Sequence, residues 1–293
     1  MANTATHDIW NGQSGRDWAD NQRALDIFLR DAMDQLLAGL PLTPGANVLD
    51  IGCGAGTLSL RMADQVAETG AVLGLDVSEP LLHLARRRSA GRDSPSFRKL
   101  DIQTDDLDQP GAKSPTRFDL CASQIGMMFF SDPVRALRRI RAHLCPGAVI
   151  AFNGWGQDDN PWFSLPLKVA ERHLGPLPSA PASPAPVSPA PPPGPLAFAD
   201  VTYVTGLLTK AGYDEVTGQR RTIAIGHPQG LAALMQSLSY VGPISTLYRL
   251  KQPDTAQRDA IAAEIQAEFT RYILPDGSLE MPGAMMYYKA IAP

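Results

Sequence analysis

The chain has 293 residues, of which 44% are hydrophobic and 19% charged, with a formal net charge of −4. That composition supports a sizeable buried core and excludes collagen, global disorder and a long coiled coil. The acidic balance argues against nucleic acid as the main partner. No apolar run approaches the roughly 18 residues that a membrane span requires, so no membrane association is expected. The opening MANTATHDIW has neither a basic n-region nor an apolar h-region, which argues against a signal peptide. Three widely spaced cysteines, without CxxC, suit a reduced, cytoplasmic setting and give no metal site.

In chain order, Trp18, Leu25, Phe28, Leu29, Met33, Leu36 and Leu40 recur at helical spacing, which predicts one or two amphipathic helices over Asp17–Leu40. Residues 1–40 are therefore read as an N-terminal helical lid. A short buried strand over Asn47–Ile51 precedes a glycine-rich loop, Gly52 to Gly56, and a helix from Thr57 to about Val66. A second strand, Ala71–Asp76, leads to a helix capped by Ser78 and running to Arg88. A weak third strand runs from Phe97 to Leu100, and a fourth from Phe118 to Ser123. Asp132-Pro133 starts a helix to Leu144. The apolar run Ala148–Phe152 is the fifth strand, central and covered on both faces. This alternation predicts a parallel sheet with right-handed crossovers over residues 41–153.

Regularity then breaks. Residues 154–198 are read as an insertion, irregular or helical through Trp155, Trp162 and Phe163 and then rich in proline. Ten of the 26 prolines lie between Pro176 and Pro195, and Arg172 and Asp200 bracket a stretch without Asp, Glu, Lys or Arg. Such a composition cannot build a core and favours polyproline II. A helix over about Asp200–Ala211, a strand over Val216–Ile225 and a last strand over Met285–Ile291 complete the sheet, so residues 199–225 and 284–293 belong to it. Residues 226–283 are read as a helical insertion over the substrate side, with helices near Pro228–Tyr240 and Asp254–Tyr272. The expected fold is a doubly wound, mostly parallel, seven-stranded α/β sheet.

The stretch Val48 to Leu60, VLDIGCGAGTLSL, carries the chemistry. A strand ends at Asp50, glycines stand at 52, 54 and 56, and a helix begins. Glycine permits positive φ and lets a ligand approach where a Cβ would block it. The helix N-terminus offers unpaired N–H groups. Twenty residues beyond Gly56, Asp76 closes the second strand, where a carboxylate can receive two ribose hydroxyls. The G-x-x-G spacing of the dinucleotide fingerprint is absent, and so is the Gly-Lys-Ser/Thr of a P-loop.

The D-x-G-x-G-x-G pattern resembles the first motif of class I S-adenosylmethionine-dependent methyltransferases. Further segments match that family: Leu100-Asp101-Ile102-Gln103, Phe118-Asp119 to Ser123-Gln124, and Leu144-Cys145-Pro146-Gly147-Ala148, where alanine replaces a second glycine. Trp10-Asn11-Gly12 with Trp18, and Phe129 to Pro133, resemble a bacterial subgroup near the ubiquinone/menaquinone-biosynthesis type. The resemblance implies a Rossmann-like fold, S-adenosylmethionine as cofactor and a small-molecule methyl acceptor. It implies that Asp50, Gly52, Cys53, Gly54 and Gly56 receive the methionine end. Asp76 and Val77 then meet the ribose, and Asp101 and Ile102 the adenine. Ser123 and Gln124 stand beside the methyl group, while Trp10 and Trp18 cover the cofactor. No catalytic base is assigned. His173 and His227, flanking the insertions, are candidates if the acceptor is a hydroxyl, with an ordinary loop histidine as the alternative. A cofactor-binding module without turnover, a macromolecule methyltransferase and a nicotinamide-dependent oxidoreductase remain alternatives. The oligomeric state, homodimer included, is left open.

Overall fold

The computed structural model describes residues 4–108, 117–158, 160–177, 190–227, 229–238 and 243–293. Seven strands form one sheet: β1 (Asn47–Ile51), β2 (Ala71–Asp76), β3 (Ser96–Lys99), β4 (Phe118–Gln124), β5 (Leu144–Trp155), β6 (Asp214–His227) and β7 (Leu279–Ile291). Their order is β3-β2-β1-β4-β5-β7-β6. The first five run parallel. β7 runs antiparallel between β5 and β6. Helices α5 (Thr57–Val66), α6 (Glu79–Arg88) and α7 (Pro133–Ala142) are the crossovers, and α9 (Val201–Ala211) leads into β6. The order in which strands are added reverses between β1 and β4, and a crevice opens beyond the carboxyl ends of the strands at such a switch point. β1 is buried through Val48, Leu49, Asp50 and Ile51. That accounts for Val48, Leu49 and Ile51, since a strand covered on both faces has no solvent side, and it leaves Asp50 as a buried carboxylate.

The N-terminal segment is longer and more broken than its periodicity suggests. It forms α1 (Thr4–Asn11), α2 (Gln13–Asp20), α3 (Gln22–Phe28) and α4 (Arg30–Ala38). α1 and most of α2 lie within the helical segment read over residues 1–40 but ahead of the periodic stripe that begins at Asp17. After β5 comes α8 (Pro161–Leu174), then the proline-rich segment, whose residues 178–189 lie outside the described ones. The polyproline expectation falls mostly there. After β6 the described residues form three α-helices where two were expected: α10 (Leu231–Leu238), α11 (Pro243–Lys251) and α12 (Thr255–Phe269). α12 opens with a capping box, the Asp254 side chain accepting from Gln257 N while the Gln257 side chain accepts from Asp254 N. Among the described residues, no helix is long and apolar enough to cross a membrane, and no cluster of three or more His, Cys, Asp or Glu could hold a metal ion. All three cysteines are free.

Candidate active site

The glycine loop is built for close approach on one side and tight packing on the other. Gly52 has φ +66°, and a Cβ there would lie 2.8 Å from Gly126 Cα, so the loop after β4 seals it from behind. Gly54 has φ +54°, and a Cβ on it would meet only the Leu81 side chain, at 4.0 Å. Its open face lies on a large cavity, lined also by Gly52, Cys53, Ala55 and Thr57. Gly54 N donates to Asp76 Oδ2 and Ser78 N to Asp76 Oδ1, each at 2.8 Å. One carboxylate therefore fixes both the glycine loop and the start of α6. Burial raises its pKa.

Asp50 is 1% exposed. One of its oxygens accepts from the Ser59 hydroxyl, and the other, Oδ1, has no partner in the protein. Burial first, and the nearby Asp76 charge less strongly, push its pKa up to about 7. Cys53 packs behind the loop, its Sγ 2.9 Å from where a Gly74 Cβ would stand. Burial pushes its thiol pKa well up, so it is no ready nucleophile.

At the far end lie Val77, Asp101 and Ile102. Asp101 Oδ1 accepts from Gln103 N at 2.9 Å, and Oδ2 lies 2.9 Å from His7 Nε2. Helix α1 is tied down here at several points. Asn11 Nδ2 donates to Val77 O (2.9 Å), Asn11 Oδ1 accepts from Glu79 N (3.1 Å), and Ser78 Oγ donates to Trp10 O (2.7 Å). Trp10 stands edge-on to Trp18 and Phe129, with ring centroids 5.6 and 5.3 Å apart.

The opposite wall is aromatic. Phe28 of α3, Trp155 at the end of β5, and Trp162 and Phe163 of α8 line it, together with Leu25, Met33 and Pro195. Trp162 lies 4.6 Å from Trp155 and 4.8 Å from Phe28, centroid to centroid. Its indole N–H points to Asn160 Oδ1 at 3.3 Å, and Asn160 also receives Ala284 N at 2.9 Å. Gln124 faces the cavity and donates to Leu29 O at 3.3 Å. The next residue, Ile125, has φ +50°, a strained conformation for a β-branched side chain. Asn153 O and Oδ1 hold its N–H, at 3.3 and 3.0 Å.

Of the residues singled out from the sequence, Asp50, Gly52, Cys53, Gly54, Asp76, Val77, Asp101, Ile102, Gln124, Trp10 and Trp18 line this cavity. Gly56 and Ser123 do not. Gly56 packs against Phe97 at the start of α5, and Ser123 is fully buried beneath the β4 loop with its hydroxyl unpaired. Neither histidine offered as a base reaches the cavity. His173 pairs instead with Glu264 at 2.7 Å, and His227 is 5% exposed, its Nδ1 accepting from Gln229 N.

Sequence reasoning missed Gln22, Asp26 and Thr57. Gln22 and Asp26 sit four residues apart on the apolar side of the N-terminal helices, next to Trp18, Leu25 and Leu29. Polar side chains interrupting an apolar stripe were the available signal. Asp26 Oδ1 accepts from Thr57 Oγ1 at 2.7 Å, and Oδ2 accepts from Arg88 at 3.1 Å and from Gln22. The other arm of Arg88 donates to Ala55 O and Thr57 Oγ1, both at 2.8 Å. Burial raises the pKa of Asp26, against the pull of Thr57 and Arg88.

Residues 49–150 match a family described as a methyltransferase domain. The chain is 32% identical over 120 residues to the 2-phytyl-1,4-naphtoquinone methyltransferase of Trichormus variabilis, covering 41% of this chain and 51% of that one. It is 25% identical over 247 residues to the nocamycin O-methyltransferase of Saccharothrix syringae, covering 84% and 85%. The chain spans about half the length of the first curated relatives it matches. The fold is similar to the YcgJ protein from Bacillus subtilis (TM-score 0.50, 12% identity, 89% and 98% covered). The matched residues hold the glycine loop, Asp76 and most of the parallel β3-β2-β1-β4-β5 part of the sheet, so this part of the chain is similar to a methyltransferase domain.

Proposed function

We propose that this chain transfers the methyl group of S-adenosylmethionine to an oxygen, carbon or nitrogen of a small hydrophobic, aromatic molecule by in-line displacement. One observation carries the reading: a single cavity runs from the glycine loop and Asp76 to the aromatic wall of Phe28, Trp155, Trp162 and Phe163. Relatives named for naphthoquinone and nocamycin methylation support a small-molecule acceptor.

The residues present fit the cofactor. The unpaired, buried Asp50 Oδ1 suits an ammonium group, and the space beside Gly54 admits a chain that any Cβ would crowd. Gly52, Cys53, Gly54 and the α5 N-terminus at Gly56 would hold the amino-acid end. Asp76 and Val77 would hold the ribose, and Asp101 and Ile102 the adenine. Trp10 and Trp18 would close over them. Gln124 would stand at the β4 end, towards the acceptor, with Ser123 buried behind it. When bound, the cofactor supplies a methyl group already activated by its positively charged sulfur.

What the protein adds is position and dryness. Holding two reactants aligned can supply roughly 7–11 kcal/mol of the barrier. The aromatic wall and the N-terminal helices exclude water from the acceptor. A base is needed only where the acceptor must lose a proton. The test is incubation with labelled S-adenosylmethionine and a panel of phenols, quinols and amines. Label should move to at least one class. A chain that binds S-adenosylhomocysteine at micromolar Kd yet methylates none of them is a binding module, and this reading fails.

A further inference from the structure

Gln103 lies two residues beyond Asp101 on the cavity wall and is 3% exposed. Its amide oxygen accepts from Asp132 N at 2.9 Å and from Ser131 Oγ at 3.2 Å. A backbone N–H can only donate, so the oxygen must face Asp132 and the nitrogen must face the other way. There Nε2 donates to Asp101 Oδ1 at 3.1 Å, beside the bond from Gln103 N. One buried amide, fixed in a single orientation, therefore joins the Asp101 carboxylate to the end of the loop between β4 and α7. Asn153 holds the start of that loop by accepting from Ile125 N. Between the two ends Gly126 packs on Gly52, Met128 O accepts from Gly194 N (3.1 Å) and Phe129 O from Thr6 Oγ1 (3.4 Å). Gly126, Met128, Phe129 and Phe130 all line the cavity.

Resting on the function proposed above, we propose that Gln103 is a positioning residue for the cofactor, which aims Asp101 at the base and fixes the cavity-lining loop after β4. An isostere separates the two tasks. Gln103→Glu keeps an oxygen for Asp132 N and Ser131 and sets a second oxygen against Asp101. Two carboxylates this close resist being charged together, so the pair holds a proton at low pH, and the shared proton replaces the lost N–H. The other groups around the pair are His7 on α1, Asp105, whose Oδ2 accepts from Asp101 N at 2.9 Å, Asp132 itself, and Arg139 of α7, which donates to Ile102 O at 2.7 Å. All four are the same in parent and variant. Gln103→Leu removes both side-chain links and adds no titrating group.

The experiment measures S-adenosylhomocysteine binding to the full chain by calorimetry at pH 5 and pH 8, and hydrogen exchange of residues 125–131 without ligand. Gln103→Glu should bind at least tenfold more weakly than the parent at pH 8 and within threefold of it at pH 5, with loop exchange unchanged. Gln103→Leu should be weaker than the parent by the same factor at both pH values, and its loop should exchange faster. A Gln103→Glu chain that matches the parent at pH 8, or whose deficit is the same at both pH values, overturns the role on Asp101. Unchanged loop exchange in Gln103→Leu overturns the role on the loop. Should Gln103→Leu fail to fold, the isosteric Gln103→Glu still decides the first role, and Ser131→Ala replaces Gln103→Leu in the exchange measurement. Failure of the parent itself to bind S-adenosylhomocysteine overturns the methyltransferase reading and the role on Asp101 with it, while loop exchange still tests the second role.

Discussion

His7 Nε2 lies 2.9 Å from Asp101 Oδ2, joining the first helix of the chain to the loop that follows β3. Asp101 is 4% exposed, and its other oxygen is taken by Gln103. The carboxylate at the proposed adenine end is thus oriented from both sides, once by its own loop and once by α1.

His7→Ala should therefore weaken S-adenosylhomocysteine binding about fivefold, the equivalent of one hydrogen bond near 1 kcal/mol. Asn11 still pins α1 to Val77 and Glu79, so the fold should persist. Calorimetry gives the affinity. Hydrogen exchange over residues 4–11 should show faster opening in the variant.

The glycines at 52 and 54 should separate stability from affinity. Gly54→Ala puts its methyl group towards the cavity, so cofactor binding should drop at least tenfold, with a stability loss of about 1–2 kcal/mol from the positive φ. Gly52→Ala carries the same backbone cost and in addition drives a Cβ into the Gly126 backbone. Urea unfolding should rank it the less stable of the two.

Asp50 gives the cofactor affinity a pH dependence. Its pKa in the folded, ligand-free chain is about 7, raised by burial from an ordinary 3.8. The folded state therefore binds the proton more tightly than the unfolded state. Its contribution to stability is full below pH 3.8 and fades as pH rises through 7. A cationic group on Oδ1 requires the carboxylate, so S-adenosylhomocysteine binding should strengthen from pH 5.5 to pH 8, approaching tenfold per pH unit below 7. Asp50→Asn should flatten that slope. It should also raise the melting temperature relative to the parent more at pH 8 than at pH 5. A slope equal in both chains would assign the proton elsewhere.

Asn160 ties α8 to β7. Its Oδ1 accepts from Ala284 N and Trp162 Nε1, and its Nδ2 donates to Gly156 O at 2.7 Å. Asn160→Ala strands these buried groups and should cost about 2–3 kcal/mol in urea unfolding. Binding of aromatic probes should weaken with it, because Trp162 loses its anchor.

The β1–loop–α5 unit and Asp76 were legible because their signal is local: apolar run, spaced glycines and acidic strand end lie within thirty residues. The acceptor wall was legible only in part: Trp155, Trp162 and Phe163 stand out in the segment after β5, but nothing in the sequence brings Phe28 to them. Phe28, Trp155 and Trp162 come from three segments that only the folded sheet brings within 4.6 to 6.5 Å of each other. Helix α11 escaped notice because Gly242-Pro243 reads as a turn, and proline is also at home at the first position of a helix. His173 and His227 looked available only because sequence position does not show which way a side chain faces.

Arg88 holds Ala55 of the glycine loop, Thr57 at the head of α5 and Asp26 of the N-terminal helices on one guanidinium. The two halves of the cavity consequently share a hinge pin. An acceptor settling against α3 should therefore stiffen the glycine loop, and S-adenosylhomocysteine should bind more tightly when an aromatic probe is present. Thermodynamic reciprocity requires the two affinities to change by the same factor. Occupancy of one half should then favour occupancy of the other, because each guest finishes the other's seat.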